Sequence, residues 1–466
     1  MNAYLGLDIG TTHMKAIIVN EAGEILAQSA TDTPVSTDSW GVVHEADALV
    51  IAAKNITKAV VSQVGDATIQ GLSVASIGEE GFFLDDYGIP IYPAIAWFEH
   101  RMTASHEDWR TRHPDARVRT GLVAKPSYSL FKWLWMKDTI PGLWDRIRMW
   151  VPVSEYIGFL LTGQLCISYS QAARTYVFDP AHRDWITSWV QEVLPDGVKQ
   201  LPPIVPSGKI LGYTGTSAQD WGLGPDVAVV VGGHDHPVGA IGAGVVDSSA
   251  MLDSMGTAEL LYWPVATLSG VSMQGAFEYG YTGYPSGPYY IASGTYTGMM
   301  TTTLSRLFAV DLGRLSGAPT TAIPEPSLLV MPNHLGEKPG FDIRGLTPGT
   351  TSEDIMLAAL VSSAMVIRWA LEHIPGAASV DPALVVIGGG ATPLSLRLKA
   401  DILQRPVYAV RGTEIVALGA AQIARKSLTG RENLAIARHT VNPDSSRASY
   451  YNRVFDEFLA NWRGKE

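Results

Sequence analysis

The chain has 466 residues, 46 % of them apolar and 17 % charged, with a formal net charge of −11. These values fit a globular protein of about two to four domains, and without a Lys/Arg run they argue against nucleic acid or an anionic membrane as the main partner. Cys166 stands alone, which excludes an intrachain disulfide; with no leader-like segment and no uncharged apolar stretch of 18 residues, the expectation is a cytoplasmic protein.

The first thirty residues predict a β-meander. Tyr4 to Ile9 and Lys15 to Val19 are apolar runs on either side of a Gly10-Thr11-Thr12 turn, and Ile25 to Thr31 follows a turn at Glu21-Ala22-Gly23-Glu24. Asp47 to Gln63 has helical spacing of Leu49, Ile56, Val60 and Val61, and Ile69 to Ile77 reads as a strand. Between Ser129 and Leu161, Trp, Leu and Ile recur at helical spacing, with breaks at Pro141-Gly142 and Pro152; Trp133, Trp135 and Trp144 read as core there. Val227 to Val231 predicts a buried strand running into Gly232-Gly233-His234-Asp235-His236, followed by small residues from Ala240 to Gly244. Ala250 to Asp253 predicts a strand that turns at Gly256-Thr257 and resumes from Leu260 to Trp263. Ser352 to His373 predicts a long helix with Ser352 as N-cap. Leu384 to Ile387 predicts a strand leading into Gly388-Gly389-Gly390. An Asp ahead of Gly-Thr occurs at Asp8 and again at Asp253, a hint of two related halves. Alternating strands and helices in both halves predict α/β lobes.

Three motifs carry chemistry. In Asp8-Ile9-Gly10-Thr11-Thr12 the glycine lets a phosphate approach backbone N–H groups, the Thr hydroxyls add donors, and Asp8 is a hard oxygen ligand suited to Mg²⁺. The bland alternative is an ordinary hairpin. In Gly232-Gly233-His234-Asp235-His236, an Asp after a buried strand and two glycines can orient an acceptor hydroxyl and take its proton. A His-Asp-His metal site is discounted, because alternate residues of an extended strand face opposite ways. Glycines in Gly388-Gly389-Gly390-Ala391 make room for a flat group such as a nucleoside, or simply turn a strand into a helix.

In this order and spacing the motifs resemble the FGGY carbohydrate kinase family of the actin/Hsp70/hexokinase-like ATPase superfamily. The likeness runs from about Tyr4 to about Ala424. It includes Ile95-Ala96-Trp97-Phe98-Glu99-His100-Arg101, Leu161-Thr162-Gly163, Gly256-Thr257, Arg344-Gly345-Leu346, Lys399-Ala400-Asp401-Ile402 and Glu414 to Ala421. The resemblance implies two actin-like (ribonuclease H-like) lobes with a central cleft. The N-terminal lobe, 1–245, would hold the sugar and the catalytic Asp; the C-terminal lobe, 246–466, would hold the nucleotide.

The implied activity is ATP-dependent phosphorylation of a small ketose or polyol, a pentulose first, with glycerol or another short polyol as the alternative acceptor. An actin- or Hsp70-like ATPase, or a sugar sensor without turnover, is the alternative of another class. By resemblance Asp235 is the general base and Asp8 organises Mg²⁺. Gly10, Thr11, Thr12, Gly256, Thr257, Gly298 and Thr302 contact ATP, and Gly389, Gly390 and Ala391 border its adenosine. Glu80, Trp97, Arg101, Asp235 and His236 face the sugar. Ala258 replaces the Ser usual after the second Gly-Thr, and Glu79-Glu80-Gly81 stands where xylulose kinases have Met-His-Gly. No nucleic acid or membrane partner is implied; a homodimer is an open expectation.

Overall fold

The computed structural model describes residues 1–466 other than 141, 257, 269–276, 312–314, 316–326, 334–339, 411, 413, 432–435 and 463–466. The chain forms two compact units. Unit 1 comprises 1–244, 279–289 and 414–435; unit 2 comprises 245–278, 290–413 and 436–466.

Unit 1 is built on a sheet of β1 (Asn2–Ile9), β2 (His13–Asn20), β3 (Ile25–Asp32), β4 (Thr68–Ser76), β5 (Ile210–Tyr213) and β6 (Ala228–His234). The spatial order is β5-β6-β4-β1-β2-β3. β1, β2 and β3 form the antiparallel meander that the sequence predicts. β1, β4 and β6 are mutually parallel, and Ile9, Ser76 and His234 end level with one another in the register. The helices Ala46–Val61 and Val153–Thr162 put Leu49, Ala53, Ile56, Val60, Ile157 and Leu161 into one core with Leu5, Leu7, Leu72 and Val229. A second core gathers Phe131, Trp133, Trp135, Trp150 and Trp189, so those tryptophans serve packing.

The helix Ile415–Thr429 comes late in the chain yet belongs to unit 1. Small residues explain how it fits. A Cβ on Gly6 would lie 1.9 Å from the Ala417 carbonyl oxygen, one on Gly242 2.0 Å from that of Ile415, and one on Gly419 1.9 Å from that of Val238. Backbone meets backbone there, with no room for a methyl group. An exposed helical Gly→Ala exchange gains up to about 1 kcal/mol. Gly419→Ala should reverse that sign and cost roughly 1–3 kcal/mol through overpacking, read as a lowered denaturation midpoint at unchanged slope.

Unit 2 repeats the pattern. β7 (Ala250–Met255) and β8 (Glu259–Val265) form an antiparallel hairpin, and β7 pairs in parallel with β10 (Ala383–Ile387). From β9 (Tyr289–Thr295) the order runs β9-β8-β7-β10-β11-β12, with β11 at Val407–Val410 and β12 at Arg438–Val441. The helix Ser352–His373 is long and apolar enough to cross a membrane, but 83 % of its apolar window is buried in the protein, and it is the core helix of this unit. Its N-cap is Thr351 rather than Ser352. Thr351 accepts from the Asp354 N–H while the Asp354 carboxylate accepts from the Thr351 N–H, a reciprocal box that a cap at Ser352 would lose.

Candidate active site

The level ends of β1, β4 and β6 put three segments at one edge of the unit 1 sheet: Gly10–Thr12, Ile77–Glu80 and Asp235. Carboxyl ends of parallel strands are where α/β sheets bind ligands.

Asp8 is buried near the end of β1, and its Oδ1 has no hydrogen-bond partner among the described residues. Burial, and then the charge of Asp235, push its carboxyl up to about 8, against opposing pulls from Lys15 and His236. In the following turn the Gly10 N–H donates to the His13 carbonyl at 3.2 Å. Thr11 Oγ1 accepts from the Trp97 indole at 2.9 Å, and Thr12 is exposed.

Both glycines of the second motif are required by their neighbours. A Cβ on Gly232 would lie 2.1 Å from the Val74 carbonyl oxygen; Gly233 has φ 131° and its Cβ would lie 2.2 Å from Ser170 Oγ. That Ser170 hydroxyl accepts from the His234 N–H at 3.0 Å. His234 ends β6, and Asp235 begins the helix Asp235–Gly242. Asp235 Oδ1 lies 2.7 Å from His236 Nδ1 and 3.1 Å from His234 Nε2, and the two imidazoles stack with centroids 5.1 Å apart.

This corrects the sequence reading of the histidines. Ligand-type atoms of His234, Asp235 and His236 all lie within 4.8 Å of one another. The alternation that should keep them apart stops at His234, because the chain turns from strand into helix at the next residue. Burial opposes ionisation of Asp235, but His236 and His234 outweigh it and hold the carboxyl far below the usual range. Burial pushes His234 down to about 4. Burial also opposes charge on His236, yet Asp235 raises it above its ordinary value.

Among the expected sugar-side residues, Glu80 and Trp97 are joined directly, while Arg101 and His236 are held by other neighbours. Glu80 is fully buried; Oε2 lies 2.7 Å from His44 Nδ1, and Oε1 accepts from the Trp97 N–H at 2.8 Å. Trp97 therefore joins Glu80 to Thr11. The Arg101 side chain is 5 % exposed and engaged by Asp38 at 2.8 Å, by Glu99 at 3.6 Å and by the Trp135 ring. His236 is more open, at 43 %. Three supports were missed in the sequence. His44 holds Glu80; buried Lys132 donates to the Glu79 and Ile95 carbonyls at 3.0 and 2.8 Å; and Arg174 pairs with the Glu79 carboxylate. Isolated basic residues within apolar stretches were the available signal.

In unit 2, Gly388 has φ 99°, and its Cβ would lie 2.4 Å from the Met255 carbonyl oxygen, which also accepts from the Gly390 N–H at 3.1 Å. The Gly388–Gly390 turn thus sits against the strand end that carries Gly256. Gly389 has open space around it, and Ala391 closes the turn onto the Gly388 carbonyl at 3.1 Å. Gly298 and the exposed Thr302 lie a turn apart in the helix Thr297–Phe308. Thr257 lies outside the described residues. Asp253 is not a second Asp8: it is fully buried and paired with Lys399.

Residues 3–242 match the model of the N-terminal domain of the FGGY family of carbohydrate kinases, and residues 322–428 match that of its C-terminal domain. L-fuculokinase of Escherichia coli K12 is 25 % identical over 449 residues, covering 90 % of each chain. A xylulose kinase of Staphylococcus epidermidis is 30 % identical over 258 residues, 54 % of this chain and 51 % of that protein. The crystal structure of xylulose kinase from Rhodospirillum rubrum superposes over 98 % of both chains with a TM-score of 0.87 at 22 % identity, a likeness of fold. The chain belongs to the FGGY family of carbohydrate kinases and is an ATP-dependent sugar kinase.

Proposed function

We propose that this kinase phosphorylates a small ketose, a pentulose in the first instance, with Asp235 as the base. The observation that carries the reading is a carboxylate at the carboxyl end of a parallel strand, with Oδ1 within 3.1 Å and 2.7 Å of two imidazole nitrogens. The second oxygen is then the one to meet the acceptor hydroxyl, orient it and take its proton. The ketose class is supported by two relatives, an L-fuculokinase and a xylulose kinase, whose names both denote ketoses.

Glu80 and Arg101 act on the sugar by fixing Trp97 and its loop, since their own polar atoms are engaged within the protein. Trp97 and His236 meet the sugar itself. Gly10, Thr11 and Thr12 line the phosphate side, and Gly256, Thr257, Gly298, Thr302, Gly389, Gly390 and Ala391 handle ATP. Asp8 fits a magnesium ion: it is a buried hard-oxygen donor with one oxygen lacking a protein partner among the described residues. When bound, Mg²⁺ would neutralise charge on the phosphates.

ADP release measured with xylulose, L-fuculose and glycerol in turn tests the reading. Release dependent on a ketose is expected. Release with glycerol alone would overturn the acceptor class, and release indifferent to every sugar would overturn the kinase role of Asp235.

A further inference from the structure

Unit 2 buries a charge cluster that none of the assigned roles uses. Lys399, on the helix Pro393–Leu403, donates both to Asp253 Oδ2 on β7 and to Glu259 Oε1 on β8. The remaining Glu259 oxygen accepts from Thr297 Oγ1 at 2.5 Å and from Ser363 Oγ at 2.5 Å. The Lys399, Asp253 and Glu259 side chains are 1 %, 0 % and 1 % exposed.

Their placement follows from the hairpin register. Met255 pairs with Glu259 and Asp253 with Leu261, so Asp253 and Glu259 share a face as diagonal neighbours three residues either side of Gly256. Two carboxylates on one dry face repel unless a cation lies between them. Lys399 is that cation, and it stands two turns into the helix that leaves the Gly388–Gly390 turn. Thr297 opens the helix that contains Gly298. One ammonium group and one carboxylate therefore tie together the three backbone segments assigned to the nucleotide.

We propose that Lys399 is a positioning residue for ATP, locking the Gly256 turn, the Gly388–Gly390 turn and the Thr297–Gly298 helix start in mutual register. The inference rests on the nucleotide role proposed for those segments. Stability alone is a weak reason for such a cluster, since buried ion pairs are often replaced by apolar groups of equal volume at no loss. Fixed geometry is what a multiply bonded cluster supplies.

Lys399→Met alone would strand two buried carboxylates, so the test uses the neutral triple variant Asp253→Asn/Glu259→Gln/Lys399→Met, together with Thr297→Val, which removes a single hydroxyl. KM for ATP and KM for the sugar are measured separately, alongside Tm. The triple variant is expected to raise KM for ATP roughly tenfold or more, as loss of one or two charge-assisted bonds implies, with KM for the sugar within twofold. Thr297→Val should move in the same direction by a smaller factor, and it decides the matter if the triple variant does not fold. Gly389→Val, placed in open space at the nucleoside turn, is the reference. If it raises KM for ATP while the cluster variants do not, Lys399 has no positioning role. If none of the variants does, the nucleotide assignment itself falls, and the proposal with it. Equal rises in both KM values would also overturn it, as general loosening.

Discussion

Asp235→Asn should lower sugar-dependent ADP release by about 10²–10⁴-fold, the range expected when a positioned base is lost, while KM for ATP changes little. The substitution keeps shape and keeps an oxygen that can accept from His236, now at 2.7 Å from Oδ1. What it removes is the proton acceptor. The native carboxyl is charged throughout the working pH range despite its burial, because His236 and His234 both favour the anion. The amide offers no such site at any pH. The loss should therefore persist across a pH–rate profile rather than recover at its alkaline end. A variant within tenfold of the native rate would remove Asp235 from the mechanism. A variant that also fails to bind ATP would point to damage at the strand end instead.

Asp8→Asn should raise stability while abolishing turnover. The Asp8 carboxyl is buried, one oxygen is unpartnered among the described residues, and its ionisation is pushed up to about 8 by burial and by Asp235. In the unfolded chain it releases its proton near pH 4. Between roughly pH 4 and 8 the folded state thus holds a proton that the unfolded state lacks, so this group's contribution to stability is greatest below pH 4 and falls as pH rises towards 8. Asn has no proton to hold and no charge to strand. The variant should gain roughly 1–3 kcal/mol at pH 8, several degrees in Tm, with a flatter profile of Tm against pH. Magnesium with nucleotide should protect the native protein against heat more than it protects the variant. A variant less stable than native at pH 8 would mean that Asp8 makes favourable contacts in the ligand-free protein.

The strands and the two hairpins were legible because apolar alternation and turn residues are local signals. β1, β2 and β4 fall within two residues of where Tyr4–Ile9, Lys15–Val19 and Ile69–Ile77 put them, and β6 runs three residues beyond the end expected from Val227–Val231. Asp235 was legible as the residue after a buried strand and two glycines. Its imidazole partners were not: their convergence depends on a strand-to-helix turn within a single residue, which periodicity does not resolve. Glu80 and Arg101 were picked out by the resemblance, but their pairing with His44 and Asp38 depends on contacts from distant segments. Lys399 was visible only as part of a family motif. The carboxylates that make it matter lie 146 and 140 residues away in the chain.

The helix Ile415–Thr429 has a consequence for biosynthesis. A ribosome delivers chain from the N-terminus, and domains usually fold as they emerge. Here the sheet of the first unit leaves the exit tunnel long before the segment that must lie across Gly6 and Gly242. Until that segment arrives, the nascent chain carries an uncovered seam of bare backbone and apolar strand. The wait spans most of the second unit's translation, so the first unit completes its core only after most of the second has been made.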